Sequence, residues 1–214
     1  MAKRIGILGS GMVGRTLGKG FLNSGYDVMI GTRDINKLDD WKKTGDNALV
    51  GSFEKAAKFG EVIVLATKWT GAENAVKLAG KENFADKTVI DVTNPLLFES
   101  ENEPPKMALG YPDSAGETVQ KWLHNAKVVK AFNTVTAAYM TNAKLEEGIP
   151  DLFICGNDAG AKKTVTEIAN QWGWRVTDIG DIKQSYLLEA LAMLWIRYGF
   201  LNNHWTHAFK LLRK

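Results

Sequence analysis

Six residues near the start of the chain have the types and spacing of a phosphate-binding turn. They match the pattern G-x-G-x-x-G and read Gly9-Ser10-Gly11-Met12-Val13-Gly14. In this pattern the first glycine permits a tight turn, the second lets backbone approach a pyrophosphate, and the third lets a helix pack closely on a strand. Free N–H groups and the dipole at the helix start also attract phosphate. Glycines occur in ordinary turns too, but this motif lies between a predicted strand and a predicted helix and therefore predicts a dinucleotide site.

The residues after the second predicted strand indicate which dinucleotide is bound. NAD-binding domains place Asp or Glu near the end of this strand, about 20 residues past the glycines, to hold the ribose hydroxyls. Here Thr32 and Arg33 stand at that place, Lys37 follows four residues later, and the nearest carboxylate, Asp34, comes after Arg33. These groups suit a 2′-phosphate, because charge-assisted hydrogen bonds contribute roughly 1.5–3 kcal/mol each. The pattern favours NADP over NAD; the alternative is that Arg33 and Lys37 are ordinary solvated charges.

The chain that must position these residues alternates between short β-rich runs and helical stretches, which is typical of a parallel sheet covered by helices. Most of the predicted strands are continuous apolar runs, as expected for strands buried on both faces. The strands are Arg4–Leu8, Asp27–Gly31, Ala48–Val50, Val62–Ala66, Thr88–Asp91, Lys127–Ala131, Leu152–Cys155 and Arg175–Asp178. The helices are Met12–Asn23, Ile35–Lys43, Phe53–Phe59, Ala72–Ala79, Glu117–His124 and Ala159–Trp172.

We therefore predict an α/β fold: a Rossmann-type, doubly wound, mostly parallel sheet with a short C-terminal helical appendage. Residues 1–180 would form the NADP-binding domain, and residues 181–214 the C-terminal helices. Ser52 and Asp158 are the predicted N-caps of the helices that follow them. The segment Leu96–Pro112 contains paired prolines and acidic residues, so it is predicted to be a long loop that borders a ligand site.

The C-terminal segment from Tyr186 to Phe200 is a predicted helix that is apolar on nearly every face. Such a helix must be buried on most sides. Because no large domain follows it, we expect it to pack against the sheet domain and a second copy of the chain, which would make the protein a homodimer. The alternative is burial wholly within one subunit.

Composition places few demands on partners. The chain has 214 residues, 45% of them hydrophobic and 24% charged, and a formal net charge of +3, which does not require nucleic acid as a partner. A single cysteine, Cys155, excludes an intrachain disulfide and fits a reducing cytoplasm. No apolar run approaches the roughly 18 residues of a membrane span, and the apolar run near the amino terminus is too short for a signal peptide.

Several motifs together resemble one enzyme family. They are Gly9–Gly14, Gly31-Thr32-Arg33, Lys37, Thr67-Lys68-Trp69, Asn94-Pro95 and Ala131-Phe132-Asn133-Thr134-Val135. In combination they resemble the coenzyme F420-dependent NADP oxidoreductases, with the reductase domains of membrane ferric reductases as more distant relatives. The likeness continues through Asp151–Asp158 and the helix that contains Leu188 and Glu189.

The resemblance implies where NADP(H) would bind. Ser10 and Met12 would line the pyrophosphate turn, and Thr32, Arg33 and Lys37 would hold the 2′-phosphate. Residues after the fourth strand would edge the cofactor, namely Ala66, Thr67, Lys68 and Trp69. Residues after two later strands would surround the nicotinamide, namely Asn94, Pro95, Asn133, Thr134 and Val135.

The resemblance also implies a partner for the cofactor. In such proteins the subunits pair through their C-terminal helices, and a second redox molecule, a flavin or a deazaflavin, stacks on the nicotinamide at the dimer cleft. The chain departs from the family pattern at Lys68, where an apolar residue or proline is expected, and in the acidic loop Leu96–Pro112. Both departures concern the identity of the electron acceptor and not the NADP site.

Hydride transfer between a nicotinamide and a flavin-like ring requires close stacking and no dedicated protein acid. Accordingly, we assign no catalytic residue. A Ser…Tyr-x-x-x-Lys arrangement is missing, because Lys144 is one position out of register with Tyr139. Lys68 is either a solvated or phosphate-facing cation or a proton donor with a pKa lowered by burial. The alternatives to a flavin-type oxidoreductase are a catalytically silent NADP(H)-binding redox sensor and a reductase of a small imine or carbonyl, although imine reductases usually carry a longer C-terminal domain.

Three other features have simple interpretations. His204 and His207 would share the face of a terminal amphipathic helix, where we expect polar tips and not a metal site, since no carboxylate or thiol accompanies them. Cys155 ends an apolar strand and is predicted to be a buried, inert thiol. Trp172-Gly173-Trp174 is predicted to end a helix and lead into the last strand.

Overall fold

A computed structural model describes residues 4–100 and 103–213 as alternating strands and helices. The strands are β1 Arg4–Leu8, β2 Asp27–Gly31, β3 Ala48–Gly51, β4 Val62–Leu65, β5 Thr88–Asp91, β6 Leu96–Leu97, β7 Lys106–Met107, β8 Lys127–Lys130, β9 Asp151–Gly156 and β10 Arg175–Asp178. The α-helices are α1 Met12–Asn23, α2 Asp39–Lys42, α3 Phe53–Phe59, α4 Trp69–Ala79, α5 Ala115–Trp122, α6 Ala137–Met140, α7 Ala159–Gln171 and α8 Ser185–Asn202. Short 3-10 turns cover Ile35–Leu38, Lys81–Phe84 and Ile182–Gln184.

Eight of the strands within the described residues form one sheet in the order β10-β9-β8-β5-β4-β1-β2-β3. Neighbouring strands from β3 to β8 are parallel, whereas β9 pairs antiparallel with β8, and β10 is parallel to β9. The chain winds from β1 to β3 in one direction and then returns to β4 on the other side of β1. This reversal is the topological switch point at which doubly wound sheets bind ligands. The predicted fold class is confirmed.

The apolar runs form strands because helices cover both faces of the sheet. Successive side chains of a strand point to opposite faces. In β4, Val62 and Val64 pack with residues of α1 and α7 in one core cluster. Ile63 and Leu65 pack with residues of α3, α4 and α5 in the other. The strand therefore lacks a polar face, as its sequence predicted.

Helix boundaries follow the local capping residues. Ser52 accepts a hydrogen bond from the backbone of Lys55 at 3.2 Å, and Asp158 accepts one from Ala161 at 2.7 Å, so both predicted N-caps are confirmed. The predicted helix Ile35–Lys43 was wrong as a single element, since a 3-10 turn precedes the short α2.

Two other helices begin two or three residues before their predicted starts, and one short helix was not predicted. α5 begins at Ala115 and not at Glu117, because Ser114 caps it by accepting from the Glu117 backbone at 3.2 Å. α4 begins at Trp69, before the predicted Ala72, and the short α6 was not predicted.

The predicted loop Leu96–Pro112 contains a small hairpin. β6 and β7 pair antiparallel, with Leu96 opposite Met107 and Leu97 opposite Lys106. An exposed ion pair between Lys106 and Glu99, 2.6 Å long, lies beside this pairing. Glu101 and Asn102 of the loop lie outside the described residues. The element was missed because two-residue strands have no periodicity to detect.

The C-terminal appendage is one long helix followed by an extended tail. α8 ends where Asn203 adopts a left-handed conformation with φ of +47°, and residues 204–213 contain no helix or strand. The tail returns to β9, where the Asp151 backbone donates to the Phe209 carbonyl at 2.9 Å and the Asp151 carboxylate accepts from Leu211 N at 2.8 Å. The predicted terminal helix through His204 and His207 was therefore wrong. The division at residue 180 stays a prediction, and Met1–Lys3 and Lys214 lie outside the described residues.

Within one chain, α8 is buried on only one side. Leu188, Glu189, Ala192 and Trp195 face the protein, whereas Leu187, Leu194, Tyr198 and Leu201 form an exposed apolar stripe. The exposed fractions of Leu194 and Leu201 are 57% and 73%. Burial wholly within one subunit, the alternative interpretation, does not describe this helix.

Candidate functional site

The glycine turn has the backbone geometry that its motif predicted. Gly9 follows β1 with φ of +124°, and a Cβ there would lie 2.3 Å from the Ala66 carbonyl oxygen. A Cβ on Gly14 would lie 2.1 Å from the Gly9 carbonyl oxygen, so the close approach of α1 to the turn requires glycine. By contrast, a Cβ on Gly11 would point into open space, with no atom within 4 Å apart from those of its chain neighbours. The turn is tight on the protein side and open on the outer side.

The start of α1 is prepared for an anion. Gly11 occupies the N-cap and offers no side chain to the first N–H groups, and the first turn contains no acidic residue. Uncapped N–H groups at a helix start carry partial positive charge, which phosphate oxygens can satisfy. Met12, the first residue of the helix, is largely exposed beside this opening.

Thr32 joins the glycine turn to the loop after β2. Its hydroxyl lies 3.1 Å from the Ser10 hydroxyl and accepts from the Asp34 backbone at 3.2 Å. Arg33 is exposed at the outer edge of this loop. Lys37 lies 3.8 Å from the Asp34 carboxylate, and this exposed pair is of the kind that contributes little to stability. The guanidinium is therefore the freer of the two cations.

Arg15 completes this region and was missed by sequence reasoning. Its Nε donates to the Ser10 carbonyl at 3.0 Å, and its Nη2 donates to the Lys37 carbonyl at 2.7 Å. Both acceptors are backbone atoms, so no pattern of residue types could have identified them. Arg15 holds the glycine turn and the loop of Arg33 and Lys37 together.

Two asparagines form a paired site at the ends of neighbouring strands. Asn94 follows β5 and Asn133 follows β8, and each amide reaches the other loop. Asn94 Nδ2 donates to the Asn133 carbonyl at 2.8 Å, while Asn133 Nδ2 donates to Asn94 Oδ1 at 2.9 Å and to the Leu188 carbonyl at 3.0 Å. The amides thus connect β5, β8 and α8 at one point.

Buried polar atoms without partners lie in two of the predicted cofactor residues. Asn133 Oδ1 and Thr67 Oγ1 are buried and make no hydrogen bond. Buried polar atoms in folded proteins nearly always have a partner, so each such atom requires an explanation. A polar ligand that supplies hydrogen bonds at this edge of the sheet would satisfy both atoms. The residues present therefore fit the polar end of a dinucleotide.

The turn before Asn133 stores backbone strain. Phe132 has φ of +58°, which a bulky residue rarely adopts, and it is fully buried. Its ring packs against Trp172, with ring centroids 5.4 Å apart. Strain of this kind persists only where surrounding packing imposes it, and it is common at functional sites. Packing on Phe132 thus fixes the direction in which the chain enters Asn133.

The remaining predicted site residues differ in their surroundings. Lys68 is exposed, with its ammonium 5.9 Å from the centre of the Phe98 ring. Trp69 stacks on Trp122 at 5.5 Å and packs against a core cluster. Three others are buried, namely Pro95, Thr134 and Val135. In this chain Trp69 and Val135 contribute to packing.

A cluster of three charged side chains, two of them three residues before an asparagine of the pair, was not singled out from the sequence. Lys130 Nζ is 2.9 Å from Asp91 Oδ2 and 3.0 Å from Glu189 Oε1. Burial alone would lower the pKa of Lys130, but the two carboxylates outweigh burial and raise that pKa above its ordinary value. The available signal was a charged residue directly after the apolar centre of each of two strands, Val89-Ile90 and Val128-Val129, which is rare for buried positions unless the charges are paired.

The two C-terminal histidines belong to an aromatic cluster. The His207 ring stacks on Trp195 with centroids 4.6 Å apart, and its Nε2 lies 3.1 Å from the Trp195 carbonyl. Burial lowers the pKa of His207. Within residues 4–100 and 103–213, no three His, Cys, Asp or Glu side chains converge as a metal site requires.

Cys155 is buried as predicted. Its thiol lies 3.4 Å from the Ser185 hydroxyl, and burial raises its pKa to about 11. A thiol with this pKa is almost wholly protonated near neutral pH and therefore a poor nucleophile.

The chain is similar in sequence to known proteins over most of its length. The family described as "NADP oxidoreductase coenzyme F420-dependent" matches residues 4–95. The F420-dependent NADP reductase of Methanocaldococcus jannaschii is 31% identical over 181 residues, which cover 79% of this chain and 80% of that protein. The chain belongs to the coenzyme F420-dependent NADP oxidoreductase family. It is accordingly an NADP-dependent oxidoreductase, as the resemblance of its motifs implied.

Other relatives of this F420-dependent family member extend the comparison. An Arthrobacter sp. FB24 structure, assigned as an F420-dependent NADP-reductase, covers 100% of both chains with a TM-score of 0.92 and 34% identity. The metalloreductase STEAP3 of Rattus norvegicus is 30% identical over 90% of this chain, which spans only 37% of STEAP3. A reductive aminase from Aspergillus terreus shares only the fold, with 17% identity and a TM-score of 0.67. Of the helices in the described part of the chain, none combines the length and apolarity that a membrane span requires.

Proposed function

We propose that this chain transfers hydride between NADP(H) and a flavin or deazaflavin acceptor at a cleft completed by a second copy of the chain. One observation carries the proposal. The cofactor residues predicted from the sequence follow the carboxyl ends of β1, β2, β4, β5 and β8, which are parallel neighbours in the sheet. They therefore lie along one edge, where doubly wound sheets bind dinucleotides.

The phosphate end of the cofactor would be held by backbone and by charge. The open side of Gly11 and the uncapped start of α1 suit the pyrophosphate. Thr32, Arg33 and Lys37 would hold the 2′-phosphate, and Arg15 fixes their loop against the glycine turn. Charge-assisted bonds of this kind are stronger than neutral ones, so the loop would select NADP over NAD.

The nicotinamide end would be held by the unpaired polar atoms. Both hydrogens of the Asn133 amide are already bonded, so its Oδ1 remains as an acceptor for a donor on the cofactor. Thr67 Oγ1 supplies a second free polar atom on the loop after β4. These contacts would orient the ring without any titratable group. NADPH held by these residues would supply the hydride, and solvent would supply the proton that the reduced acceptor also gains.

The acceptor site is proposed to lie against α8. The stripe formed by Leu187, Leu194, Tyr198 and Leu201 is exposed in the single chain, and burying it against the same stripe of a second copy would complete an apolar cleft beside the asparagine pair. A planar ring system fits such a cleft better than a small carbonyl compound, whose reduction to an alcohol requires a proton donor. A cytoplasmic location stays part of this proposal.

The test is steady-state NADPH oxidation with three acceptors: a deazaflavin, FMN and a cyclic imine. We expect the protein to reduce the deazaflavin or FMN, and to use NADH as a much weaker hydride donor than NADPH. Tight NADPH binding without reduction of any acceptor would favour a redox sensor instead. Reduction of the imine alone would overturn the proposed acceptor class in favour of an imine reductase.

A further inference from the structure

Three charged side chains form a completely buried cluster, which we call the ion triad: Asp91, Lys130 and Glu189. Each has a side chain that is 0% exposed. Asp91 and Lys130 are the last residues of β5 and β8 and stand opposite each other in the register of these parallel strands. Glu189 joins them from α8. The ion triad therefore fixes the position of α8 against two central strands.

Every carboxylate oxygen of the triad has a partner. Asp91 Oδ1 accepts from the backbone N–H and the hydroxyl of Thr93 at 2.9 and 2.7 Å. The Glu189 carboxylate accepts from Ala115 N and Gly116 N at the start of α5, both at 3.0 Å. With all these bonds made, α8 can neither slide nor rotate without breaking several at once.

The asparagine pair lies close to the ion triad along the chain. Asn94 and Asn133 each follow a triad residue by three positions, and Leu188 precedes Glu189. Asn133 Nδ2 donates one hydrogen to Asn94 Oδ1 at 2.9 Å and the other to the Leu188 carbonyl at 3.0 Å. The residues that fix α8 are thus neighbours of those that orient the Asn133 amide.

Burial of three charges is an expensive way to attach a helix. The desolvation cost is roughly several kcal/mol per ion, and apolar side chains of similar volume often serve stability equally well. What an ion triad adds is a single defined position, a role best attested for buried polar groups that set register. The ion triad therefore specifies one position of α8 against the sheet.

We propose that Lys130, with Asp91 and Glu189, is a positioning residue for the nicotinamide side of the site. The ion triad holds the Leu188 carbonyl where it takes one hydrogen of the Asn133 amide. Because both hydrogens are then occupied, the amide presents only its oxygen to the cofactor. If α8 shifts, this restriction is lost and the amide can rotate. The inference rests on the proposed function, since it concerns the same NADP(H) site.

Glu189→Gln and Asp91→Asn test the inference. Each variant keeps the shape of the side chain and removes the negative charge of one carboxylate that pairs with Lys130. Calorimetry would compare NADPH with 2′,5′-ADP, which has the 2′-phosphate but no nicotinamide. We expect the Kd for NADPH to rise roughly tenfold, as for one lost buried hydrogen bond, while the Kd for 2′,5′-ADP stays within about twofold. In steady-state assays with the same acceptor, kcat of both variants should be lower than that of the wild type.

The matched control is Asp151→Asn, which also removes a fully buried carboxylate from an ion pair, but one whose hydrogen bonds go to Arg175, Thr177 and the Leu211 backbone and not to the asparagines. It should lower the thermal midpoint while leaving the ratio of the two Kd values unchanged. The inference would be overturned if the triad variants bound NADPH and 2′,5′-ADP more weakly by the same factor. It would also be overturned if a folded triad variant kept the wild-type ratio of the two Kd values. Failure of the proposed function is distinct, because the wild-type protein would then fail to bind NADPH or to reduce any acceptor.

A measurement on the wild-type protein covers the case in which neither triad variant folds. In the absence of cofactor, both Nδ2 protons of Asn133 should exchange slowly with solvent in NMR spectra, because both are hydrogen-bonded and buried. Rapid exchange of either proton would show that α8 does not restrain the amide, and the inference would be wrong.

Discussion

At the scale of single residues, the side chains of the proposed 2′-phosphate site differ in how far other contacts already engage them. Thr32 is already bonded to Ser10 and to the Asp34 backbone, and Lys37 has Asp34 as a neighbour. Arg33 is exposed in the same loop. The Arg33 guanidinium can therefore bind a 2′-phosphate without giving up another contact. The Lys37 ammonium would have to leave the Asp34 carboxylate to do so.

Arg33→Ala should weaken NADPH binding more than Lys37→Ala does. A lost charge-assisted contact corresponds to roughly 1.5–3 kcal/mol, or about tenfold to a hundredfold in Kd, for Arg33, and to less for Lys37. NADH binding should change in neither variant. Calorimetry measures all four values, and Lys163→Ala on the exposed side of α7 is the control. If both cofactors bind the Arg33→Ala variant as they bind the wild type, the 2′-phosphate assignment is wrong.

The thiol of Cys155 is the second feature that single residues decide. With its pKa raised to about 11 by burial, the folded protein should react with an aromatic disulfide reagent far more slowly than a free thiol. Unfolding in guanidinium should restore one rapidly reacting thiol per chain. The absorbance of the released thiolate measures both states. Fast reaction of the native protein would contradict the burial of this side chain.

At the scale of elements, one buried carboxylate ties the C-terminal tail to the edge of the sheet. Asp151 begins β9 and bonds Arg175 of β10 at 2.7 Å, Thr177 at 3.1 Å and the Leu211 backbone at 2.8 Å. Burial pulls the pKa of Asp151 upward, but these hydrogen bonds outweigh it and hold the pKa below its ordinary value. The tail therefore depends on the ionised carboxylate.

Asp151→Asn should lower the free energy of unfolding near neutral pH by about 1–2 kcal/mol, a modest value because Arg175 is partly exposed. Since the folded pKa is depressed, this contribution is present above the unfolded pKa of about 3.9 and is lost as pH falls through the folded value. Urea titrations at several pH values should thus show the two proteins converging on the acid side. A constant difference between them would contradict the role of the charge.

At the scale of the whole molecule, the exposed apolar stripe of α8 bears on whether a single chain can form the proposed acceptor cleft. A helix with Leu187, Leu194, Tyr198 and Leu201 facing water is an apolar patch of the kind that marks interaction sites. Since a two-fold axis places the same patch on both subunits, α8 of one chain would pack against α8 of its partner.

Leu194→Lys should convert the proposed dimer to a monomer, because the new charge would be buried in the proposed interface. Light scattering coupled to size exclusion measures the mass. Turnover of the acceptor should fall by at least about tenfold, while the Kd for NADPH should change little, since the phosphate loops are remote. Leu78→Lys, at an exposed leucine of α4, is the matched control. A monomeric wild-type protein would contradict the proposed cleft.

The sequence by itself determined the local features of this protein. The glycine turn, the strands and the caps at Ser52 and Asp158 depend on backbone conformation and on neighbours within a few residues, which residue types specify directly. The family followed from motifs that lie close to the ends of those strands. Helix starts such as Trp69 and Ala115 moved because caps and tertiary packing override propensity.

Only the tertiary structure decided which distant groups meet. Asp91, Lys130 and Glu189 are separated by 39 and 59 residues along the chain, and the register of β5 with β8 together with the docking of α8 brings their charges within about 3 Å. Arg15 bonds backbone carbonyls that no side-chain pattern encodes. The tail past Asn203 was predicted as helix because His204 and His207 have the i, i+3 spacing of one helix face, whereas its hydrogen bonds go to β9. Long-range partners of this kind are chosen by packing, which acts only once the chain has folded.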